Sequence, residues 1–248
     1  MKYLHRIYVT AIVLVISINA TAQSSKDPVD YVKPDIGGIS YLLTTTNPVV
    51  LLPHDYPQVA PLVNPGITDS YLATKIYGFP AGGVSIMPST GEIKTNPNTI
   101  ASSFDRDFET RTPYYYKGLL SDYNIWASYT VGHFAIFYRF TFPEKGERLI
   151  NVMMKSKGSL HLSSPNVLEG KTKIHGVPYY IYLSFSQPVH AVKTWRFDKN
   201  PGKGRQMAGK KIGMTLDFQG TNTNMIQIKA GLSYISLDQA KKNMKQAI

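Results

Sequence analysis

The residues whose types and spacing suit chemistry form two groups. His54-Asp55-Tyr56 stands in a proline-rich stretch, followed by Asp69, Tyr71, Tyr77 and Phe79. Aromatic rings stack on the C–H faces of a sugar while carboxylates and imidazoles take its hydroxyls. These six residues, His54, Asp55, Asp69, Tyr71, Tyr77 and Phe79, are therefore the candidate carbohydrate contacts; ordinary loop packing of tyrosines is the competing reading. The second group is Asp105, Asp107 and Glu109. Three oxygens at alternating positions suit calcium binding or an acid/base pair. A glycosidase, however, needs carboxylates on both sides of the sugar. Neighbours on one flat strand surround nothing, and pairing with Arg106 and Arg111 is the simpler role.

Other chemistry is excluded or unsupported. The chain has no cysteine, which removes thiol catalysis and disulfides. His54, His133, His161, His175 and His190 stand apart, without metal-binding spacing. No G-x-S-x-G elbow and no phosphate-cradling glycine loop is present. No catalytic residue and no metal ligand is assigned.

The elements that must position these residues read as β. Phe104, Arg106 and Phe108 alternate with the carboxylates, and Phe134, Ile136, Tyr138, Phe140 and Phe142 repeat the alternation, a period-two pattern. Strands are expected near 114–120, 123–131, 133–142, 148–155, 179–186, 189–197, 211–219 and 224–235. Residues 34–100 are broken by prolines and glycines, so only short strands such as Pro48–Leu52 and Gly83–Met87 are expected there. The fold class is all-β, a large antiparallel sandwich. Near the end, Ser236 and Gln239 form an S-x-x-Q box, and Leu237, Ala240, Met244 and Ala247 follow helical spacing. Such a short helix is marginal alone; it either packs on the sandwich or belongs to something longer.

The length suits one large domain or two small ones, and the composition a globular core. The chain has 248 residues, 43% of them hydrophobic, and a formal charge of +11. Lys2 and Arg6, the apolar run Ile7–Ile18 and the Ala20-Thr21-Ala22 site read as a signal peptide over 1–22. The run is shorter than the roughly 20 residues a membrane span needs. Residues 23–235 then form the β domain and 236–248 begin a linker helix. The product is periplasmic or secreted, with no membrane span after cleavage. The late lysines read as solvated loop and helix residues, so no nucleic-acid partner is assigned.

Several stretches, in order, resemble the N-terminal domain of glycoside hydrolase family 92, the calcium-dependent α-mannosidases. Tyr31-Val32-Lys33-Pro34-Asp35-Ile36-Gly37 looks like the family's V-N-P-F-I-G. Phe104 to Glu109 with Pro113-Tyr114-Tyr115-Tyr116 is similar to F-S-H-E-x-E…P-G-Y-Y. Tyr138-Arg139-Phe140-Thr141-Phe142-Pro143 resembles H-R-Y-x-F-P, and Ala230 to Ser236 with Ala240 and Asn243 resembles G-I-S-Y-V-S…A-x-x-N. The resemblance implies a supersandwich-like β domain whose C-terminal helix leads into a catalytic (α/α)6 barrel. That barrel would carry the catalytic carboxylates and the calcium ligands. The chain would then form one wall of a pocket for a mannose-containing glycan, be inactive alone, and bind no calcium itself. The face toward the barrel would be an exposed apolar patch. The family's G-F-S-H-T-H-L-S-G loop is replaced by Gly78-Phe79-Pro80-Ala81-Gly82-Gly83, which puts mannosidase specificity in question. The alternatives are a stand-alone carbohydrate-binding module without hydrolysis and a structural surface domain without ligand.

Overall fold

The computed structural model describes residues 26–34, 36, 49–63, 73–220 and 223–247. The described residues up to Val32 belong to a unit of their own, in which Pro28–Tyr31 make a 3-10 turn. The rest is a sandwich of two antiparallel sheets, with strands numbered in chain order. One sheet has eight strands: β1 (Leu62–Val63), β2 (Lys75–Ala81), β3 (Val84–Ser89), β9 (Leu149–Met154), β16 (Ile212–Asp217), β13 (Ala191–Arg196) and β14 (Gly202–Lys203), in that order, with β4 (Ser102–Ser103) beside β2. The other has nine: β15 (Gln206–Gly209), β10 (Gly158–Ser164), β11 (Val167–Ile174), β12 (Val177–Phe185), β17 (Met225–Ser233), β8 (Ala135–Thr141), β7 (Ile125–Gly132), β6 (Tyr116–Leu120) and β5 (Thr110–Arg111).

Alternation builds the core. Ile136, Tyr138 and Phe140 on β8, and Ile226, Ile228, Ala230 and Leu232 on β17, point inward. They share one apolar cluster with Ile150, Val152 and Met154 of β9 and Met214 and Leu216 of β16. The eight strands expected from 114 onward are all present, each within a few residues of its expected bounds. Strands β10 and β11 were not expected, because their sequence is rich in Ser, Gly and Lys and poor in branched or aromatic residues. Leu160, Leu162 and Leu168, with the small Gly170 and the polar Thr172, supply their buried side.

Three local expectations are corrected. Phe104–Glu109 is not a strand: Arg106–Phe108 form a 3-10 turn. The Asp105 side chain caps it by accepting from the Asp107 amide at 3.0 Å, and such local bonds compete with strand formation. Of Pro48–Leu52, the described part forms only the single bridge Val50–Val59. Strand β2 runs for seven residues through Pro80, because β1 pairs only as far as Gly78 and leaves the proline on an open edge.

The helix Leu237–Ala247 lies on the outer face of the nine-stranded sheet, across β12, β17 and β8. Ala240 is 0% and Met244 7% exposed beneath it. Gly231 makes the approach possible: a Cβ there would sit 2.8 Å from the Met244 Cβ. Ser236 caps the helix by accepting from the Gln239 amide at 3.0 Å. The box is half-formed, since the Gln239 side chain donates instead to Asn243 Oδ1 at 2.7 Å. Asn243 in turn donates to the Leu232 carbonyl at 2.8 Å. Among the described residues, no helix is long and apolar enough to cross a membrane.

Candidate functional site

Polar and aromatic side chains converge where the β7–β8 turn, the start of β12 and the end of β17 meet the loop before β1. That loop is pinned by the Val50–Val59 bridge and by Tyr129, whose hydroxyl donates to the Val59 carbonyl at 3.2 Å. Its tip carries Asp55 and Tyr56. Asp55 Oδ1 accepts from the Tyr56 amide at 2.7 Å, and its two oxygens lie 2.7 and 2.9 Å from His133 Nδ1. His133 is on the β7–β8 turn with its side chain 70% exposed. The turn is stitched on both sides: the Phe134 amide donates to the Tyr56 carbonyl at 2.8 Å, and the Leu232 amide to the Phe134 carbonyl at 2.9 Å. The Tyr56 amide holds the Asp55 carboxyl below its ordinary 3.8; partial desolvation opposes this, and His133 adds to the lowering.

Behind this pair lies a tyrosine cluster. The hydroxyls of Tyr56 and Tyr179 are 2.9 Å apart. Tyr234 meets Tyr179 edge-on at 4.8 Å between centroids and lies 6.3 Å from Tyr56, whose ring is 5.3 Å from Phe134. Burial pushes the Tyr56 and Tyr179 phenols up, so at neutral pH they are hydrogen-bonding groups and not acids or bases. The β2–β3 turn closes against them. Gly82 (φ +62°) faces the Tyr179 ring, where a Cβ would fall 2.7 Å from Cζ. Tyr234 stays 41% exposed and Ile235 76%. The arrangement offers an acceptor pair, Asp55 with His133, and an exposed ring held edge-on by another. Those are the groups a neutral polyol uses.

Of the six candidate sugar contacts, Asp55 lies in this cluster. His54 adjoins it, exposed and in the left-handed region at φ 56°. Asp69 and Tyr71 lie outside the described residues. Tyr77 is half-buried on β2, its carbonyl accepting from Ser85 Oγ at 3.3 Å. Phe79 is 1% exposed, within 6.1 Å of the rings of Tyr116, Tyr129 and Phe140, so its ring is closed to any ligand. Gly78, at φ +136°, breaks the alternation of β2 and turns Phe79 inward. From the sequence, His133 is only an isolated histidine and Phe134 only a strand residue, and Tyr179 and Tyr234 carry no site assignment. His133 is 78 positions from Asp55 and Tyr179 is 123 from Tyr56, so no local spacing marks them.

The acidic group at 105–109 serves the fold. The Glu109 side chain is buried, 2.6 Å from Arg111 and accepting from the Tyr116 hydroxyl at 2.6 Å. With Asp105 capping its turn, the group does not converge on one point. Among the described residues, no set of three or more acidic or histidine side chains is placed to hold a metal ion. The calcium that the family resemblance implies therefore finds no fitting site on them.

Residues 31–233 match the model of the glycosyl hydrolase family 92 N-terminal domain. Solved structures agree in fold. A family GH92 inverting mannosidase from Bacteroides thetaiotaomicron VPI-5482 superposes with a TM-score of 0.79 at 24% identity, over 90% of this chain and 34% of that one. An α-mannosidase of the same family and species, solved with mannoimidazole, gives 0.77 at 23% identity, over 88% and 34%. A family GH92 glycosyl hydrolase, ccman5, gives 0.73 at 20%, over 87% and 34%. The chain thus spans about a third of the length of these relatives. Comparison with curated protein sequences gives no match. From the match over residues 31–233, the chain belongs to glycosyl hydrolase family 92, as its N-terminal β-sandwich domain.

Proposed function

We propose that this chain is the sandwich half of an exported α-mannosidase-like glycoside hydrolase, forming one wall of the sugar pocket and inactive by itself. One observation carries the reading: the chain reproduces the N-terminal third of solved family 92 mannosidases and matches their domain model. The wall is the end bearing Asp55, His133 and Tyr234, where exposed Ile235 adds apolar surface for a second domain to cover. Inactivity follows from the chemistry. Inverting hydrolysis needs two carboxylates about 6.5–9.5 Å apart across the sugar. On this sandwich Asp55 is paired with His133 at the wall, and Glu109 is paired with Arg111 within the fold. The acid, the base and any calcium ligands come from an (α/α)6 partner domain. Residues 1–22 direct export and are cleaved after Ala22.

A domain replacement tests the wall. In a family 92 α-mannosidase whose sandwich is exchanged for this one, Asp55→Asn and Tyr234→Ala should raise KM for α-mannobiose with little change in kcat. Unchanged KM in both variants would put the wall elsewhere. Firm mannobiose binding by the chain alone would instead favour a stand-alone binding module.

A further inference from the structure

The end of the sandwich that bears Asp55, His133 and Tyr234 also bears a block of positive charge that the hydrolase reading does not use. Residues 155–211 hold eleven lysines and arginines against two acids, Glu169 and Asp198. Both acids are engaged: Glu169 lies 3.8 Å from His161, and Asp198 accepts from the Asn96 side-chain amide. The backbone gathers six of the lysines. The Lys211 amide donates to the Lys155 carbonyl at 3.1 Å, which sets Lys155 beside Lys210 and Lys211. The Lys157 carbonyl accepts from Thr172 Oγ1 at 3.0 Å, between Lys171 and Lys173. All six are exposed, and among the described residues none of them forms an ion pair. Packing joins this block to the sugar wall. Thr172 presses on the β2–β3 turn, where a Cβ on Gly83 would fall 2.3 Å from its Cγ2, and the adjacent Gly82 faces Tyr179 of the tyrosine cluster. Within the sheet Lys171 opposes Tyr180, and Tyr180 opposes Ser233, the residue before Tyr234. Two strand spacings, about 10 Å, therefore separate Lys171 from the wall.

We infer that this end binds a glycan carrying sulfate or phosphate esters, with uncharged sugars at the wall and the ester groups on the lysines. The inference rests on the hydrolase reading for the sugar and adds the charge that the sugar chain carries. A cluster of one sign, left without acids, attracts and orients an anion. Lysine, a point charge with donors that turn freely, suits a tetrahedral oxyanion, whereas a planar carboxylate is held best by the arginine fork. The arginine nearest the block is already occupied: Arg196 donates to the carbonyls of Ala208 and Lys210, at 3.3 and 3.4 Å. A nucleic-acid backbone, charged at every unit, would bring its phosphates against the Asp55 carboxylate; a glycan charged at intervals sets a neutral sugar there. A flat bilayer seated on this end would cover the wall itself.

The test titrates the full chain with sulfated mannan, phosphorylated mannan, unmodified mannan, polygalacturonate, single-stranded DNA, and vesicles containing phosphatidylserine. One or both of the esterified mannans should bind most tightly, and more weakly as salt rises; the tighter of the two identifies the ester. Lys155→Gln with Lys210→Gln and Lys211→Gln should weaken that binding at least about tenfold. The same loss of charge away from this end, Lys117→Gln with Arg139→Gln and Lys145→Gln, should change it less than about threefold. Should a variant fail to fold, backbone shift mapping on the wild type decides: perturbed amides must centre on 155–157, 171–173 and 210–211. Absence of binding to both esterified mannans, equal binding of unmodified mannan, preference for polygalacturonate, DNA or vesicles, equal weakening in both triple variants, or shifts centred elsewhere would each overturn the inference. The hydrolase reading fails separately, by unchanged KM in the domain replacement above.

Discussion

Gly231→Ala puts the docking of the C-terminal helix under a sharp test. In an ordinary strand the change stabilises by up to about 1 kcal/mol, because glycine loses the most backbone freedom on folding. Here the new Cβ would lie 2.8 Å from the Met244 Cβ and 2.9 Å from the Ala240 carbonyl carbon, well inside van der Waals contact. Backbone of a packed helix cannot yield as a flexible side-chain end can, so the helix must lift. Lifting exposes Met244, whose full burial is worth about 1.5–3 kcal/mol, and Ala240, about 0.8 kcal/mol. It also stretches the bond from Asn243 to the Leu232 carbonyl, worth about 1 kcal/mol. Partial relaxation recovers some of this, leaving a net loss of about 2–4 kcal/mol. Hydrogen exchange is the direct assay. The amides of Leu237–Ala247 should lose most of their protection, since a helix this short does not hold alone, and Tm should fall by about 5 °C or more. A Gly231→Ala protein with a protected helix and an equal or higher Tm would refute the packing argument.

The remaining predictions concern the end cluster and the two sheets. Asp55 has a folded pKa below its ordinary 3.8, so its contribution is present above that value and lost as pH falls through the folded pKa. Wild type should therefore lose more stability on acidification below about pH 4 than Asp55→Asn does, read as Tm against pH. Burial raises the phenols of Tyr116, Tyr129, Tyr138 and Tyr179 above the ordinary 10.0. Their contribution is complete below pH 10 and declines above it, and ultraviolet titration should show these four ionising only with unfolding, not in a reversible step beforehand. Asn151 donates to the Met87 carbonyl at 3.1 Å and to Ser89 Oγ at 2.9 Å, and accepts from Thr215 at 2.8 Å, all buried. Asn151→Ala should cost about 2–4 kcal/mol in denaturant melts, and a loss under about 1 kcal/mol would mean that water replaces those bonds.

Sequence patterning disclosed the sandwich because period-two alternation of large apolar residues is a local signal. Ile136, Tyr138 and Phe140 announce both a strand and its inward side. It misled where a single residue changes the local geometry. Gly78 turns Phe79 from the surface into the core, and Asp105 converts an alternating run into a capped turn. The end cluster was only partly legible. His54-Asp55-Tyr56 drew attention as a group, but its partners His133, Tyr179 and Tyr234 arrive through the register of β7, β12 and β17. The helix sequence showed its apolar stripe and its Ser236 cap. That it would seat on Gly231 followed only from the sheet beneath it.

The most direct check on the central claim is mannose release from α-mannobiose by this chain alone, with calcium present and a family 92 α-mannosidase as positive control. No release above the uncatalysed background is expected. Sustained release that follows the chain through purification would contradict it, because the sandwich would then hold both catalytic carboxylates itself.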